Sequence, residues 1–307
     1  MKFVTFKTPD GRIAPGVLRD DLATIVDLGA HFADMLAVID GGDAALATVR
    51  ELVGAASAAT VALADVQLQA PLPNPRRIRD CSVFEEHMQG GVNFMRKMGI
   101  DPNAKIPDIW YQKPIYYKGN HLAISGPDAD LVRPPYGEKL DYELEIAMVT
   151  GKRGKTIAKA QAWEHIFGFT IFNDFSVRNT AMGEIQGGLG MSKSKDFDGA
   201  NVLGPWLVTK DEIADVYNLK MSAMLNGEPM GRGSSNTSGM THRWDAIIAY
   251  ASEGETLYPG EVIGSGTVGG GTLVEMGRFL ADGDVVELAI EGLGTLRNRV
   301  VGTGAND

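Results

Sequence analysis

The stretch Lys139-Leu140-Asp141-Tyr142-Glu143-Leu144-Glu145-Ile146-Ala147-Met148-Val149 decides the fold. Acidic and apolar residues alternate along it, and this period of two predicts a β-strand with one buried face. Asp141, Glu143 and Glu145 would then share the opposite face. Carboxylates two residues apart on a strand lie about 6–7 Å from each other. Either this face is exposed to water, as is usual for glutamates, or a cation that prefers oxygen ligands lies between the carboxylates.

The composition limits the partners of the chain. Its 307 residues are 44% hydrophobic and 22% charged, with a net charge of −10. Such a charge argues against nucleic acids and anionic membrane surfaces, but a bound metal and a few local cations still allow an anionic substrate. Cys81 is the only cysteine, and the start lacks the apolar core of a signal peptide. These features predict a cytoplasmic protein without disulfides.

The spacing of the segments predicts a small unit at residues 1–70 and a larger one at 71–307. A hairpin is predicted around Pro9-Asp10-Gly11, and the proline cluster 71–75 marks the boundary because proline cannot join a central strand. Beyond it strands dominate, which favours a mainly β, α+β architecture over a doubly wound one. Helices are predicted at 31–40, 43–54, 84–98, 158–165 and 242–252.

The composition of two long segments predicts functional loops rather than regular structure. Residues 100–140 are rich in proline, glycine and tyrosine, and residues 183–204 hold six glycines and the group Lys193-Ser194-Lys195. Long loops inside a compact domain are usually functional. Residues 100–138 and 180–200 are therefore expected to shape the pocket and its lid and to determine which substrate is bound.

Four carboxylates at predicted strand ends or strand faces could form a cage for a hard cation. Asp174 ends an apolar strand, and Asp80 precedes the helix at 84–98, where a local cap is the alternative. With Glu143 and Glu145 they would suit Mg²⁺, Mn²⁺ or Ca²⁺. Zinc is not expected, since no His/Cys spacing of the zinc type occurs.

Three basic side chains could act beside such a cation. His87 has the pKa range of a general base, although a single histidine is by default a surface or packed residue. Arg96 could be a solvated helix residue, and Lys195 could be a loop charge.

The chain resembles the fumarylacetoacetate hydrolase family over nearly all of residues 75–300. The matching motifs occur in the same order as in that family. They are Leu140-Asp141-Tyr142-Glu143-Leu144-Glu145 before Gly151-Lys152, Phe172-Asn173-Asp174-Phe175-Ser176-Val177-Arg178-Asn179, and Ser194-Lys195-Asp196-Phe197-Asp198 before Gly204-Pro205.

The resemblance implies a catalytic domain of the mixed β-roll or β-sandwich type, with the small α+β unit added at the amino end. It implies one divalent cation, with Mg²⁺ the first choice, and a homodimer. The metal ligands it implies are Asp80, Glu143, Glu145 and Asp174. The catalytic residues it implies are His87 as general base, Glu275 as the glutamate that orients it, and Lys195. The substrate contacts it implies are Arg96, Lys113 and Tyr117. Gln186 is a candidate to replace a glutamine of the family pattern that this chain lacks at position 181.

Two departures from the family pattern affect the predicted site. Position 181 is alanine where the hydrolase-like pattern has glutamine, so that Gln186 or Glu184 would have to supply its role. Gly90 stands where the short members carry a glutamate three residues after the histidine. The partner of His87 is therefore expected to be Glu275.

The resemblance implies metal-dependent hydrolysis of a C–C bond in a β-diketo acid, such as an acylpyruvate or a substrate like fumarylacetoacetate. Decarboxylation of a 2-oxo diacid, isomerisation of a 2-hydroxydienoate, and hydrolysis or dehydration of a sugar acid need the same enolate and remain open. A metal-binding protein without activity is the alternative of another class. In each enzymatic case the substrate is a small anionic keto acid.

Overall fold

The computed structural model describes residues 1–97, 99–188, 190–231 and 235–303. Its strands, in chain order, are β1 Lys2–Lys7, β2 Ile13–Leu18, β3 Thr24–Asp27, β4 Thr60–Ala62, β5 Gln67–Gln69, β6 Arg77–Cys81, β7 Tyr116–Gly119, β8 Ile124–Ser125, β9 Asp130–Val132, β10 Leu140–Asp141, β11 Leu144–Thr150, β12 Gly154–Lys155, β13 Ile166–Asp174, β14 Ser176–Val177, β15 Asn201–Thr209, β16 Met221–Leu225, β17 Glu228–Met230, β18 Thr256–Leu257, β19 Glu261–Gly264, β20 Val285–Ile290 and β21 Gly294–Val301.

The helices are fewer, and most are short. The α-helices are α1 Met35–Asp40, α2 Gly42–Gly54, α3 Glu85–Lys97, α4 Asp108–Gln112, α5 Arg178–Gly187 and α6 Trp244–Ser252. The 3-10 turns are Leu63–Asp65, Lys159–His165, Lys210–Glu212, Thr237–Gly239 and Val274–Met276. Within the described ranges, none of the helices has the length and apolar character needed to cross a membrane.

A twelve-stranded sheet forms the centre of the molecule. Its order is β4-β3-β2-β1-β15-β13-β11-β19-β6-β7, with β5 also on β1 and β8 also on β15. The β19–β6 and β15–β8 pairs are parallel, and the other pairs are antiparallel. A five-stranded sheet, β17-β16-β20-β21-β9, packs with it around the larger hydrophobic core. The mainly β, α+β prediction is confirmed.

Both faces of β11 are buried, and this corrects one interpretation of the acidic stretch. Leu144, Ile146 and Met148 pack in the larger core, whereas Ala147 and Val149 on the other face pack in a second core. A water-exposed acidic face is therefore wrong. The strand is also interrupted, since β10 pairs with β14 while β11 pairs with β13 and β19.

The amino-terminal strands extend the central sheet. The predicted hairpin is confirmed as β1 and β2, and β1 also pairs with β15. Thr5 Oγ1 donates to the carbonyl of Pro71 at 2.9 Å, so the proline cluster lies against β1. The sheet thus continues across residue 70, and a domain boundary there stays a prediction.

Four of the five predicted helices are confirmed as α-helices with shifted ends, and one important helix was missed. Met98, the predicted end of the helix at 84–98, lies outside the described residues, and the segment at 158–165 is a 3-10 turn. Helix α5 occupies Arg178–Gly187, where loop structure was expected from residue 183 onward. Two glycines in this segment weaken its intrinsic helical preference, while contacts of Arg178 and Glu184 described below hold it in place.

Candidate metal and catalytic site

Neighbouring strands bring the four predicted metal ligands together. Asp80 lies near the end of β6, Glu145 lies on β11, Asp174 ends β13, and Glu143 immediately precedes β11. One oxygen from each carboxylate lies within 4.8 Å of the others. These four residues are called the carboxylate cluster below. Their predicted grouping is confirmed.

The backbone around the cluster makes room for the carboxylates and hydrogen bonds to them. A Cβ at Gly264, on the strand between β11 and β6, would lie 2.3 Å from Asp80 Oδ1 and 2.8 Å from Glu145 Oε2. The amide of Gly266 donates to those two oxygens at 3.1 and 3.0 Å. Glycine is required at position 264 because any side chain there would displace the carboxylates.

Burial changes the protonation of the pair formed by Asp80 and Glu145. Both are at most 4% exposed. Burial, followed by the charge of neighbouring carboxylates, raises the pKa of each well above its ordinary value. In the absence of a cation these two side chains therefore hold protons more tightly than exposed carboxyls do.

Two basic side chains, the buried Lys195 and the partly buried Arg178, offset the charge of the other two ligands, Glu143 and Asp174. Lys195 Nζ donates to Glu143 Oε2 at 2.7 Å and also contacts Asp174 Oδ2. Tyr117 donates its hydroxyl hydrogen to Asp174 Oδ2 at 2.5 Å, so two predicted site residues contact the cluster directly. Burial alone would raise the pKa of Glu143, but the charges of Lys195 and Arg178 outweigh it and lower that pKa.

Arg178 and Asp141 belong to the site although sequence reasoning assigned them no role. Arg178 Nη2 lies 2.8 Å from Glu143 Oε1 and 2.9 Å from Asp141 Oδ2. Asp141 in turn accepts hydrogen bonds from the amides of Leu273 and Val274 at 2.9 and 3.1 Å. It thereby anchors the segment that leads to the predicted glutamate. The position of Arg178, four residues after Asp174 in a recognised motif, was an available signal.

The donor set fits a hard divalent cation. Glu145 Oε1 and Asp174 Oδ1 are buried oxygens without a hydrogen-bond partner among the described residues. Buried oxygens of this kind are costly unless something binds them. An all-carboxylate set matches the preference of Mg²⁺, Mn²⁺ and Ca²⁺. The cluster could therefore hold a metal ion.

His87 and Glu275 form the predicted pair. His87 Nδ1 lies 2.8 Å from Glu275 Oε1, and Glu275 Oε2 accepts from the amide of Gly270 at 3.0 Å. Because a carboxylate can only accept, Nδ1 carries the proton and Nε2 is the basic nitrogen. A Cβ at Gly90 would lie 3.0 Å from Glu275 Cγ, so this glycine gives the glutamate its place beside α3. The contact is confirmed, whereas its catalytic role stays a prediction.

Three predicted substrate contacts do not join the cluster in the described part of the chain. Arg96 is exposed and donates from Nε to the carbonyl of Ala104 at 2.9 Å. Lys113 is exposed, with Nζ 5.7 Å from the ring centre of Tyr250. Gln186 is exposed near the end of α5. Their roles toward substrate stay predictions.

Position 181 has no polar replacement within the cluster. Ala181 is buried in α5. Glu184, one of the two candidates to replace the missing glutamine, instead accepts hydrogen bonds from Ser192 and Ser194. The alanine supplies no side-chain donor, the described contacts of Glu184 are with the two serines, and Gln186 as the replacement stays a prediction.

Comparisons with known proteins agree with this geometry. A family model described as fumarylacetoacetate (FAA) hydrolase C-terminal matches residues 88–301. The chain is 35% identical over 268 residues to oxaloacetate tautomerase FAHD2A, mitochondrial, of Bos taurus, covering 87% of this chain and 79% of that protein. It is 32% identical over 241 residues to oxaloacetate tautomerase YisK of Bacillus subtilis (strain 168), covering 78% and 74%.

A solved structure extends the likeness to the whole fold. Fumarylacetoacetate hydrolase from psychrophilic Exiguobacterium antarcticum superposes with a TM-score of 0.78 at 27% identity, covering 98% of this chain and 99% of that chain. Asp80 and His87 precede the segment that the family model matches. Their place in the site therefore depends on the geometry described above.

Proposed function

This chain belongs to the fumarylacetoacetate hydrolase family, and from that premise we propose that it converts a small 2-oxo acid through an enolate, with a divalent cation as cofactor. The reaction we propose first is the keto–enol tautomerisation of oxaloacetate. The observation that carries the proposal is the His87–Glu275 pair, whose histidine is near enough to the carboxylate cluster for its charge to lower the pKa of Glu143.

The chain supplies a base and charge stabilisation for this reaction. A divalent cation held by Asp80, Glu143, Glu145 and Asp174 would supply Lewis-acid polarisation of the 2-oxo group. His87 Nε2 takes a proton from the carbon next to that group, and Glu275 stabilises the imidazolium that forms. Lys195 stabilises the negative charge that develops on the oxygen. Transfer of the proton from the imidazolium to that oxygen would complete the enol and return His87 to its basic form.

Two relatives support oxaloacetate as the substrate. Both carry the printed name oxaloacetate tautomerase, and one of them is 35% identical to this chain over most of its length. Tautomerisation needs only proton transfer at an enolisable carbon. The missing donor at Ala181 would matter less for this reaction than for one that passes through a tetrahedral species.

C–C bond hydrolysis of a β-diketo acid is the second candidate. The same His87–Glu275 pair that could enolise a substrate could instead deprotonate a water molecule. Glu275 holds the imidazole in the tautomer that this step requires. The decarboxylase, dienoate isomerase and sugar-acid reactions would begin from the same enolate, and no particular contact favours them.

The decisive experiment follows the enol of oxaloacetate by its ultraviolet absorbance. The enol and keto forms are mixed separately with protein in Mg²⁺, in Mn²⁺ and in EDTA, and metal-only blanks are subtracted. Accelerated equilibration without loss of oxaloacetate supports tautomerisation. Formation of pyruvate would indicate decarboxylation instead.

The same samples are tested against acetylpyruvate and fumarylpyruvate. Metal-dependent cleavage of these diketo acids into two acids would support the hydrolase. If the protein binds the cation but reacts with none of these substrates, the proposed enzymatic function is contradicted. A metal-binding protein without activity would then be favoured.

We further propose a homodimer located in the cytoplasm, as the resemblance and the composition predict. Sedimentation equilibrium at micromolar concentration tests the assembly, and a monomer would contradict it. Fractionation of the source cells tests the location.

A further inference from the structure

The loop that carries Lys195 is attached to helix α5 by a single glutamate. Glu184 Oε2 accepts from the Ser194 hydroxyl at 2.6 Å and from the Ser192 amide at 3.0 Å. Glu184 Oε1 accepts from the Ser192 hydroxyl at 3.1 Å and from the Ser194 amide at 3.3 Å. Both oxygens are therefore used, and all four donors belong to the three residues before Lys195.

The peptide just before Lys195 is fixed on its other side as well. The carbonyl of Ser194 accepts from the amide of Val177 at 2.9 Å, and the Lys195 amide donates to the carbonyl of Ser192 at 2.8 Å. Ser194 and Lys195 are at most 1% exposed. The direction in which the lysine leaves the backbone is thus set by the turn that Glu184 holds.

Helix α5 connects Arg178 with the loop that carries Lys195. Its first residue, Arg178, contacts Glu143, and Glu184 lies further along the same helix. Burial alone would raise the pKa of Glu184, but the hydrogen bonds from Ser194 and Ser192 lower it. The glutamate is therefore ionised at neutral pH and accepts with both oxygens.

We infer that Glu184 is a positioning residue that keeps the Lys195 ammonium between Glu143 and Asp174. Its carboxylate fixes Ser192 and Ser194, and through them the lysine that contacts two oxygens of the cluster. This inference depends on the proposed function, because Lys195 matters only if the cluster holds a cation and handles an enolate.

The inference predicts two effects of opposite sign. The ammonium and a divalent cation are attracted to the same carboxylates and repel each other. A lysine released from its position would leave the carboxylates more available, so the cation would bind more tightly. The same release would remove charge stabilisation from the enolate, so turnover would fall. A merely structural loss would weaken both.

The experiment measures the dissociation constant of Mn²⁺ by isothermal titration calorimetry in a double-mutant cycle. We expect Lys195→Met to tighten binding by about tenfold or more. Glu184→Ala should tighten it by a smaller factor of about 3 to 10 in the wild-type background. In the Lys195→Met background Glu184→Ala should change it little, because its effect passes through the lysine.

The second measurement is the rate of oxaloacetate turnover by the same variants. Glu184→Ala should lower kcat by about 10- to 100-fold, a loss typical of a misplaced group, with little change in KM. Glu184→Gln, which keeps one acceptor oxygen, should recover part of it. Ile185→Ala, on an exposed residue of the same helix, is the matched control and should behave as wild type.

The outcomes separate this inference from the proposed function. Equal changes in Mn²⁺ affinity in both backgrounds, or weaker binding in Glu184→Ala, would overturn the positioning role. If wild type binds no Mn²⁺ and acts on none of the acids, the proposed function has failed. Amide hydrogen exchange of residues 192–195 then decides the positioning alone: faster exchange in Glu184→Ala than in Ile185→Ala supports it, and equal exchange overturns it.

Discussion

Adjacent residues of β6 enter two charged groups that differ in their balance of positive and negative side chains. Arg79 contacts Glu261 and, at 2.7 Å, Glu255, and Arg77 also contacts Glu255. Two guanidinium groups thus meet two carboxylates. Glu261 Oε1 further accepts from the amide of Tyr258 at 2.9 Å, so both oxygens of this buried glutamate are used.

Asp80, the next residue, belongs to a group with an excess of acceptors. Four carboxylates there meet one lysine and one shared arginine, and two buried oxygens have no partner among the described residues. A buried charge is retained only when it is compensated. The charges of the Arg79 group are compensated by the chain itself, whereas those of the carboxylate cluster are not, and a cation could compensate them. Balance of charge therefore distinguishes the Arg79 group from the carboxylate cluster.

The largest effect should come from His87→Ala. Loss of the base should lower turnover by about 10²- to 10⁴-fold, while the affinity for Mn²⁺ and the melting temperature stay close to wild type. Kinetics with oxaloacetate, together with calorimetry, measure this. Turnover near wild type would remove His87 as the base.

Arg79→Met should have the opposite effect to His87→Ala, because it should lower stability and leave cation binding unchanged. Glu261, 1% exposed, would lose its guanidinium partner, which costs about 3–5 kcal/mol of unfolding free energy in a buried pair. Denaturation in urea measures the loss, and Mn²⁺ affinity should be unchanged. Arg77→Met is the matched control, since its half-exposed ion pair is worth about 1 kcal/mol or less. A loss for Arg79→Met no larger than the roughly 1 kcal/mol expected for Arg77→Met would contradict the structural role of the Arg79–Glu261 pair.

Stabilisation by a cation should increase with pH. The pKa values of Asp80 and Glu145 are raised above their ordinary 3.8 and 4.5. The folded chain without a cation therefore holds protons that the unfolded chain releases, and the stability this provides is lost as pH rises from about 4.5 through the raised values. A cation must displace those protons, so its affinity should rise by up to about tenfold per pH unit for each proton released.

Melting temperatures in Mn²⁺ and in EDTA, measured between pH 5 and 8, test this dependence. The difference between them should increase toward pH 8. A difference independent of pH would show that Asp80 and Glu145 release no proton on binding.

The smallest effect should come from Gly90→Ala. The added methyl group would lie 3.0 Å from Glu275 Cγ and should shift the glutamate away from His87, lowering turnover by about tenfold. The helix should gain up to about 1 kcal/mol, because alanine favours it. Gly91→Ala, which meets nothing within 4 Å, should give the helical gain alone. Equal turnover in the two variants would contradict the fit of Glu275.

The carboxylates that the strands contribute to the site could be predicted from the sequence. The residues that helix α5 contributes could not. The alternation of residues around Glu143 and Glu145 and the end of the apolar strand at Asp174 are local patterns. The burial of their acidic face was not predictable, since it depends on which strands become neighbours. Helix α5 was missed because its glycines argue against it, and Glu184 gains its contacts only once the chain is folded. The pairing of His87 with Glu275 came from resemblance and not from spacing.

The pairing of β6 with β19 also determines when the site can form. Gly266 and Asp80, joined by a hydrogen bond, lie 186 positions apart in sequence, and the ligands on β11 and β13 come from the part of the chain between them. Contacts of such long range form late and slowly. Residues up to Gly266 must therefore leave the ribosome before β19 can place Asp80 beside the other three carboxylates. Binding of a cation by all four would then follow the formation of the sheet.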